Sequence, residues 1–261
     1  MDTKDKVVLD LIKFRSLMGC NVTEIQAKYI WGRAFTKSTK LHFGKSTENK
    51  YAQEKVRIAK SNIRYFLIFN WVKFVGISGS VAAGFAKEAD DIDLFIVVKN
   101  GTAWIYRGVL MLKNIFGKRI RIKKDGKNVK DKFCINFICE ERGLTLDSDM
   151  FNFHELMYLI PAYNEGYINY IYSQNPWLRD EYQVKKEFLI TKENNPKFVS
   201  IFLRFFNALS FAFQLLFMII SRHSPEIKRL KENYKKGRIE FFSSKYKNKR
   251  LMKYLEPIQI N

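Results

Sequence analysis

The chain has 261 residues, 47% hydrophobic and 15% aromatic, enough to bury a sizeable core and to exclude wholesale disorder. Forty-six Lys and Arg stand against 26 Asp and Glu, a formal net charge of +20. Such a field attracts polyanions (nucleic acid, nucleotide triphosphates, an anionic membrane face) and says nothing about fold. The three cysteines, Cys20, Cys134 and Cys139, are too few and too scattered for a disulfide framework. No His or second Cys pair completes a zinc site around the latter two. That pattern suits a reducing cytosol, and the charged Met1–Lys6 stretch is followed by no apolar run, so a cytoplasmic protein without a cleavable signal is expected.

In chain order, Lys4–Leu17 carries apolar residues at helical spacing and Val22–Trp31 repeats the pattern after a Gly-Cys-Asn break. Gly32–Thr47 is polar and reads as a loop. Within it Gly44-Lys45-Ser46-Thr47 imitates the end of a P-loop, but the required earlier glycine is Thr39 and no strand precedes it, so the likeness is rejected. A long helix is predicted over Glu48–Phe69. The period then changes. Val72–Ser78 reads as a buried strand, Ser80–Ala86 as a tight helical turn, Asp91–Val98 as a second strand and Thr102–Phe116 as a helix. Lys132–Cys139 is a third core strand and Arg119–Lys123 a candidate fourth.

Beyond Asp147 the pattern is helical again, with Ser148 as a cap of a helix through Met157 and Pro161 as its end or kink. Phe198–Ile220 is long enough to span a membrane, yet holds Arg204, Asn207 and Gln214. Its phenylalanines and leucines fall near one helical face, so a buried helix is the first expectation. A peripheral membrane helix backed by the basic C-terminal segment is the alternative. The basic stretches are Lys118–Lys132, with eight Lys or Arg against two Asp, and Arg222–Asn261, with twelve against four. Both suit either nucleic acid phosphates or solvated faces.

The window Val75–Val98, VGISGSVAAGFAKEADDIDLFIVV, carries the chemistry. A strand ends in Gly79-Ser80, ten residues intervene, and Asp91-Ile92-Asp93 opens the next strand. Strand alternation puts Asp91 and Asp93 on one face. Two carboxylates that close repel unless a cation lies between them, and hard oxygen ligands suit Mg²⁺ or Mn²⁺. Gly79 allows close backbone approach to a phosphate, and the N–H groups of the following turn point at an anion. Packing explains the pair poorly, because a strand leading into LFIVV normally excludes unpaired charge.

These residues resemble the signature of the polymerase-β-like nucleotidyltransferase superfamily, a Gly-Ser pair followed by Asp-x-Asp. A bacterial and archaeal subgroup is similar further along: at Trp104 and Arg107, the FCINFI strand, His154-Glu155-Leu156 and Asn175-Pro176-Trp177. The resemblance implies an α/β (α+β) fold, a small mixed sheet flanked by N-terminal helices and a C-terminal helical region. Residues 1–47 would form a helical, winged-helix-like N-terminal region, 48–146 the nucleotidyltransferase core and 147–261 the helical C-terminal region. The implied activity is Mg²⁺-dependent transfer of a nucleoside monophosphate from an NTP to an acceptor hydroxyl, using two divalent ions. Asp91 and Asp93 would be catalytic and hold metal, while Gly79, Ser80 and Arg107 would contact phosphate. Active members commonly add a third carboxylate on a neighbouring strand. Here the matching positions are Cys134 and Asn136, with Asp131 just before; Asn136 is taken as the metal ligand. The missing acid leaves a second reading, a degenerate member that binds nucleotide or nucleic acid without transfer. His154-Glu155 is a weaker candidate for orienting or deprotonating the acceptor, against a purely structural histidine.

Overall fold

The computed structural model describes residues 3–32, 42–45, 49–122, 125–126, 128–185, 201–220, 226–241, 247–248, 251–252 and 254. The side chain of Asn136 lies outside that description, as do most of the 32–47 loop and parts of both basic stretches.

Two N-terminal helices, α1 (Thr3–Ser16) and α2 (Glu24–Trp31), form as the periodicity predicts. The start of α2 is fixed by a capping box: Thr23 Oγ1 accepts from the Gln26 N–H while the Gln26 side chain accepts from the Thr23 N–H, each at 3.1 Å. The next helix, α3 (Lys50–Ser61), stops well short of the expected Phe69. Asn62 explains the difference. Its side chain donates to the Ile58 carbonyl at 2.9 Å and the chain passes into a 3₁₀ turn at Ile63–Tyr65.

There follow β1 (Val72–Ile77), the single turn α4 (Gly79–Ala82), β2 (Ile92–Val98), α5 (Ala103–Gly117) and β3 (Phe133–Glu140). Of the candidate strand Arg119–Lys123, the described residues Arg119–Ile122 form no strand. Ile120 makes one isolated bridge to Phe133, and Asn114 holds it from both sides by bonds to its N–H and carbonyl. The helix α6 (Met150–Met157) is capped by Asp149, whose carboxylate accepts from the Asn152 N–H at 2.8 Å; Ser148, the expected cap, bonds Glu181 instead. Pro161 lies inside the strand β4 (Ile160–Tyr163) rather than closing a helix. The remaining elements are α7 (Tyr167–Ser173), α8 (Trp177–Asp180), α9 (Ile201–Ile220), α10 (Ile227–Lys236) and the three-residue strand β5 (Arg238–Glu240).

The sheet is mixed and five-stranded, in the order β4-β1-β2-β3-β5. Only β2 and β3 run parallel; the other three pairings are antiparallel. Pro161 is tolerated because β4 is an edge strand. Alternation splits the strands between two cores. Phe74, Phe95, Val97 and Phe137 pack under α1, α2, α6, α7 and α8, whereas Ile77, Ile92, Leu94, Ile96 and Ile138 pack against α3 and α5. Both faces are therefore covered, as in an α/β sandwich.

The expected burial of the 198–220 helix is not observed. Asn207 and Met218 are the buried residues of α9, while Phe202, Phe205, Phe206, Leu209, Phe213 and Phe217 are exposed. Helical period locates an apolar stripe but does not say which way it faces.

Lys55 on α3 fixes the loop ahead of β2. Only 2% exposed, its Nζ donates to the carbonyls of Glu88 (3.0 Å) and Asp90 (2.8 Å) and to Asp131 Oδ1 (2.6 Å). Lys55→Met keeps the aliphatic stem but strands all three acceptors. It is expected to lower unfolding free energy by about 2–4 kcal/mol in urea titrations; a loss below about 0.5 kcal/mol would show the clamp to be dispensable.

Candidate active site

Antiparallel pairing brings the end of β1 against the start of β2, where the Ser78 N–H donates to the Asp93 carbonyl at 2.9 Å. The chain then turns through Gly79 at φ +65°, a conformation that favours glycine, and a Cβ there would fall 2.4 Å from Asp93 Oδ2. The backbone of the turn thus lies directly on the carboxylate. In the loop that follows, Asp90 receives the Lys87 N–H at 2.8 Å and the Ser80 hydroxyl at 3.3 Å, which leaves Asp91 and Asp93 to project together from the sheet.

Parallel pairing sets Cys134 of β3 opposite Asp93, and the register slips immediately afterwards, Phe95 facing Phe137. Bulges of this kind recur beside functional sites because they re-aim side chains. Asp91, Asp93 and Cys134 each offer a ligand atom, all within 4.8 Å of one another. Arg121 closes the group from the basic 118–132 stretch, its Nη1 lying 2.7 Å from Asp91 Oδ2.

A third carboxylate does approach, from an element other than the one the sequence suggested. Glu155 on α6 accepts the Gly79 N–H through Oε2 at 3.3 Å, and its charge acts on Asp93. Asp131, the alternative on the strand side, is instead engaged by Lys55. Asn136 sits in β3 and its side chain is outside the described residues. The sequence offers His154-Glu155 as a pair for orienting or deprotonating the acceptor, but no local spacing ties a residue on α6 to a turn 76 positions earlier. His154 itself is 3% exposed, with Nε2 3.2 Å from Arg15 Nη1 and its ring between Phe14 and Tyr158. That is a packing role.

Arg107 does not join the group. It lies on α5, beneath the opposite face of the sheet, where its guanidinium donates to Gln214 of α9 and stacks 4.7 Å over Phe241. Burial pulls its pKa down to about 10. A cleft of about 450 Å³ lined by Lys6, Asp10, Glu181 and Tyr254, among others, shares no residue with the carboxylates.

Burial first, then the charges of Asp91 and Glu155, push the Asp93 carboxyl up to about 7. The Cys134 thiol donates to Asp93, and burial together with both aspartates pushes its pKa well up. A protonated thiol is a poor ligand for a hard cation, while paired carboxylates suit one. The group is therefore an acidic site able to hold a divalent metal through Asp91 and Asp93.

Residues 60–149 match the family model of the nucleotidyltransferase domain. The likeness covers residues 60–149 and not the flanking segments. The match contains β1, α4, β2, α5 and β3, hence Gly79, Ser80, Asp91, Asp93 and Cys134, and agrees with the polymerase-β-like superfamily. Glu155 lies just past its end. Comparison with curated proteins and with solved structures finds no match.

The raised Asp93 pKa has a definite sign. Between the ordinary carboxylate value and about 7 the folded chain binds more protons than the unfolded one, so this group lowers stability as pH rises through that window. Asp93→Asn is expected to raise the melting temperature at pH 8 by a few degrees and to leave it nearly unchanged at pH 4. Mn²⁺ or Mg²⁺ should stabilise the parent protein at pH 8 and not the variant. Equal destabilisation of Asp93→Asn at both pH values would contradict this account.

Proposed function

We propose that the chain transfers a nucleoside monophosphate from an NTP to an acceptor hydroxyl, releasing pyrophosphate. The observation that supports this best is the placement of Asp91 and Asp93 side by side against the Gly79 turn, inside the matched domain. In the proposed reaction the acceptor oxygen attacks the α-phosphorus, a new P–O bond forms, and the bond to the bridging oxygen breaks. Asp91 and Asp93 hold Mg²⁺ or Mn²⁺, which when bound supplies neutralisation of the triphosphate charge.

The chain's own groups divide the remaining work. The Gly79 N–H, bound at 3.3 Å to Glu155, and the Ser80 hydroxyl, bound at 3.3 Å to Asp90, both make long bonds that phosphate oxygens can replace. Arg121 offers a guanidinium at the mouth of the pair, suited to a phosphate oxygen. Glu155, released from Gly79 by the incoming phosphate, is placed to accept the proton from the acceptor hydroxyl. It supplies the negative charge that Cys134 lacks.

A second reading rests on Cys134 itself. A thiol where active relatives carry an acid suits a domain that binds nucleotide, or nucleic acid, without transfer.

Labelled NTPs should bind in a metal-dependent manner, and binding should be lost in the Asp91→Ala/Asp93→Ala double variant. Turnover, followed as pyrophosphate release, should fall at least about 10³-fold in Asp93→Asn and about 10²-fold in Glu155→Gln, with NTP affinity in Glu155→Gln kept within about threefold. Normal turnover in Asp93→Asn would sink the transfer reading. Metal-dependent binding with no pyrophosphate release toward any acceptor would favour the second.

A further inference from the structure

Helix α9 is built inside out. Its uncharged polar side chains face the protein while Arg204 is exposed: Asn207, 3% exposed, accepts from the N–H groups of Trp104 (2.8 Å) and Ile105 (3.3 Å) at the first turn of α5. Ser210 and Gln214 both donate to the Trp104 carbonyl, at 3.0 and 2.8 Å, and Gln214 accepts from Arg107. At 100° per residue the outward residues Phe202, Phe205, Phe206, Leu209, Phe213 and Phe217 fall within an arc of about 120° that adjoins this docking face. These six are 52–76% exposed. A soluble surface helix arranges its faces the other way round, and a continuous apolar strip of this kind marks an interaction surface.

Charge indicates what covers it. The next helix, α10, packs on α9 through Tyr234, whose ring stacks on Phe211 at 4.3 Å. Lys228, Lys231, Lys235 and Lys236 of α10 are all exposed, against Glu232 and its flanking Glu226, on a chain of net charge +20. An aromatic strip on one helix and exposed lysines on the helix packed against it complement a bilayer with anionic headgroups. By length and composition α9 is apolar enough to cross a membrane, and only 11% of its apolar window is buried. Crossing would strip Asn207, Ser210 and Gln214, mid-helix, from their α5 partners and leave them in hydrocarbon. We propose that α9 lies flat in the headgroup–acyl boundary of an anionic membrane, with the α10 lysines on lipid phosphates. This anchoring does not depend on the transfer reaction.

Flotation of the full-length protein with phosphatidylcholine vesicles, with and without phosphatidylglycerol, tests it. The parent protein should float with the anionic vesicles, and raised salt should weaken the association. Phe205→Glu/Leu209→Glu/Phe213→Glu alters only exposed side chains, so the melting temperature should hold while partitioning falls about tenfold or more. Lys228→Glu/Lys231→Glu/Lys235→Glu, at exposed positions, should remove the preference for anionic vesicles and tests the charge argument separately. The proposal is overturned if the parent protein floats with neither vesicle, or if both variants float as it does. It is equally overturned if sedimentation equilibrium finds a dimer that the first variant makes monomeric with no flotation, since a second copy would then cover the strip.

Discussion

The constraint on which the site depends is the close approach of the Gly79 backbone to the Asp93 carboxylate. A single added carbon at Gly79 would sit 2.4 Å from Asp93 Oδ2, so the turn tolerates no side chain and its positive φ demands none. Everything around the site follows from keeping those two groups together. β1 must deliver the turn at the level where β2 begins, which the antiparallel register from Ile77 opposite Leu94 does. β2 must start with its carboxylates already aimed, which the Lys55 clamp on Glu88 and Asp90 ensures from behind.

The same closeness creates an electrostatic conflict. Asp91, Asp93 and Glu155 converge on one turn, and Arg121 offsets only part of their charge from a half-exposed position. Asp93 answers by holding its proton to about 7, and Cys134 by remaining a thiol that donates to it. A cation would relieve that imbalance. Cys134 is a small neutral neighbour of Asp91 and Asp93, and the third carboxylate comes from α6. The histidine beside Glu155 stabilises that arrangement indirectly: Arg15, wholly buried, bonds His154 and the Ala83 carbonyl and so ties α1, α6 and the end of α4 together.

What was legible in the sequence was local. Period-two runs gave β1, β2 and β3 to within a residue or so at most ends, and the Thr23/Gln26 spacing marks the start of α2. Asp91 and Asp93 were legible because alternation alone decides that they share a face. β5 was not, because three residues show no period, and β4 was masked by Pro161, which reads as a helix stop unless the strand is known to be an edge. Glu155 and Arg107 exchanged importance for a tertiary reason. Neither reaches its partner through local spacing, and only the packing of α6 on one face of the sheet and α9 on the other decides which joins the carboxylates.

Arg107 shows how the two faces divide. Its guanidinium, which suits a phosphate, is spent on Gln214, and its donors help fix α9 to α5 on the face away from Asp91 and Asp93. On that face the polar residues of α9 satisfy backbone groups at the start of α5, so the helix is held by hydrogen bonds while its aromatic side chains point outward. Reversing α9 to bury its phenylalanines would leave the Trp104 and Ile105 N–H groups and the Trp104 carbonyl without their α9 partners. The exposed strip is therefore specified by the hydrogen bonds beneath it. The carboxylates lie on the other face of the sheet, so a partner seated on α9 would not cover Asp91 and Asp93.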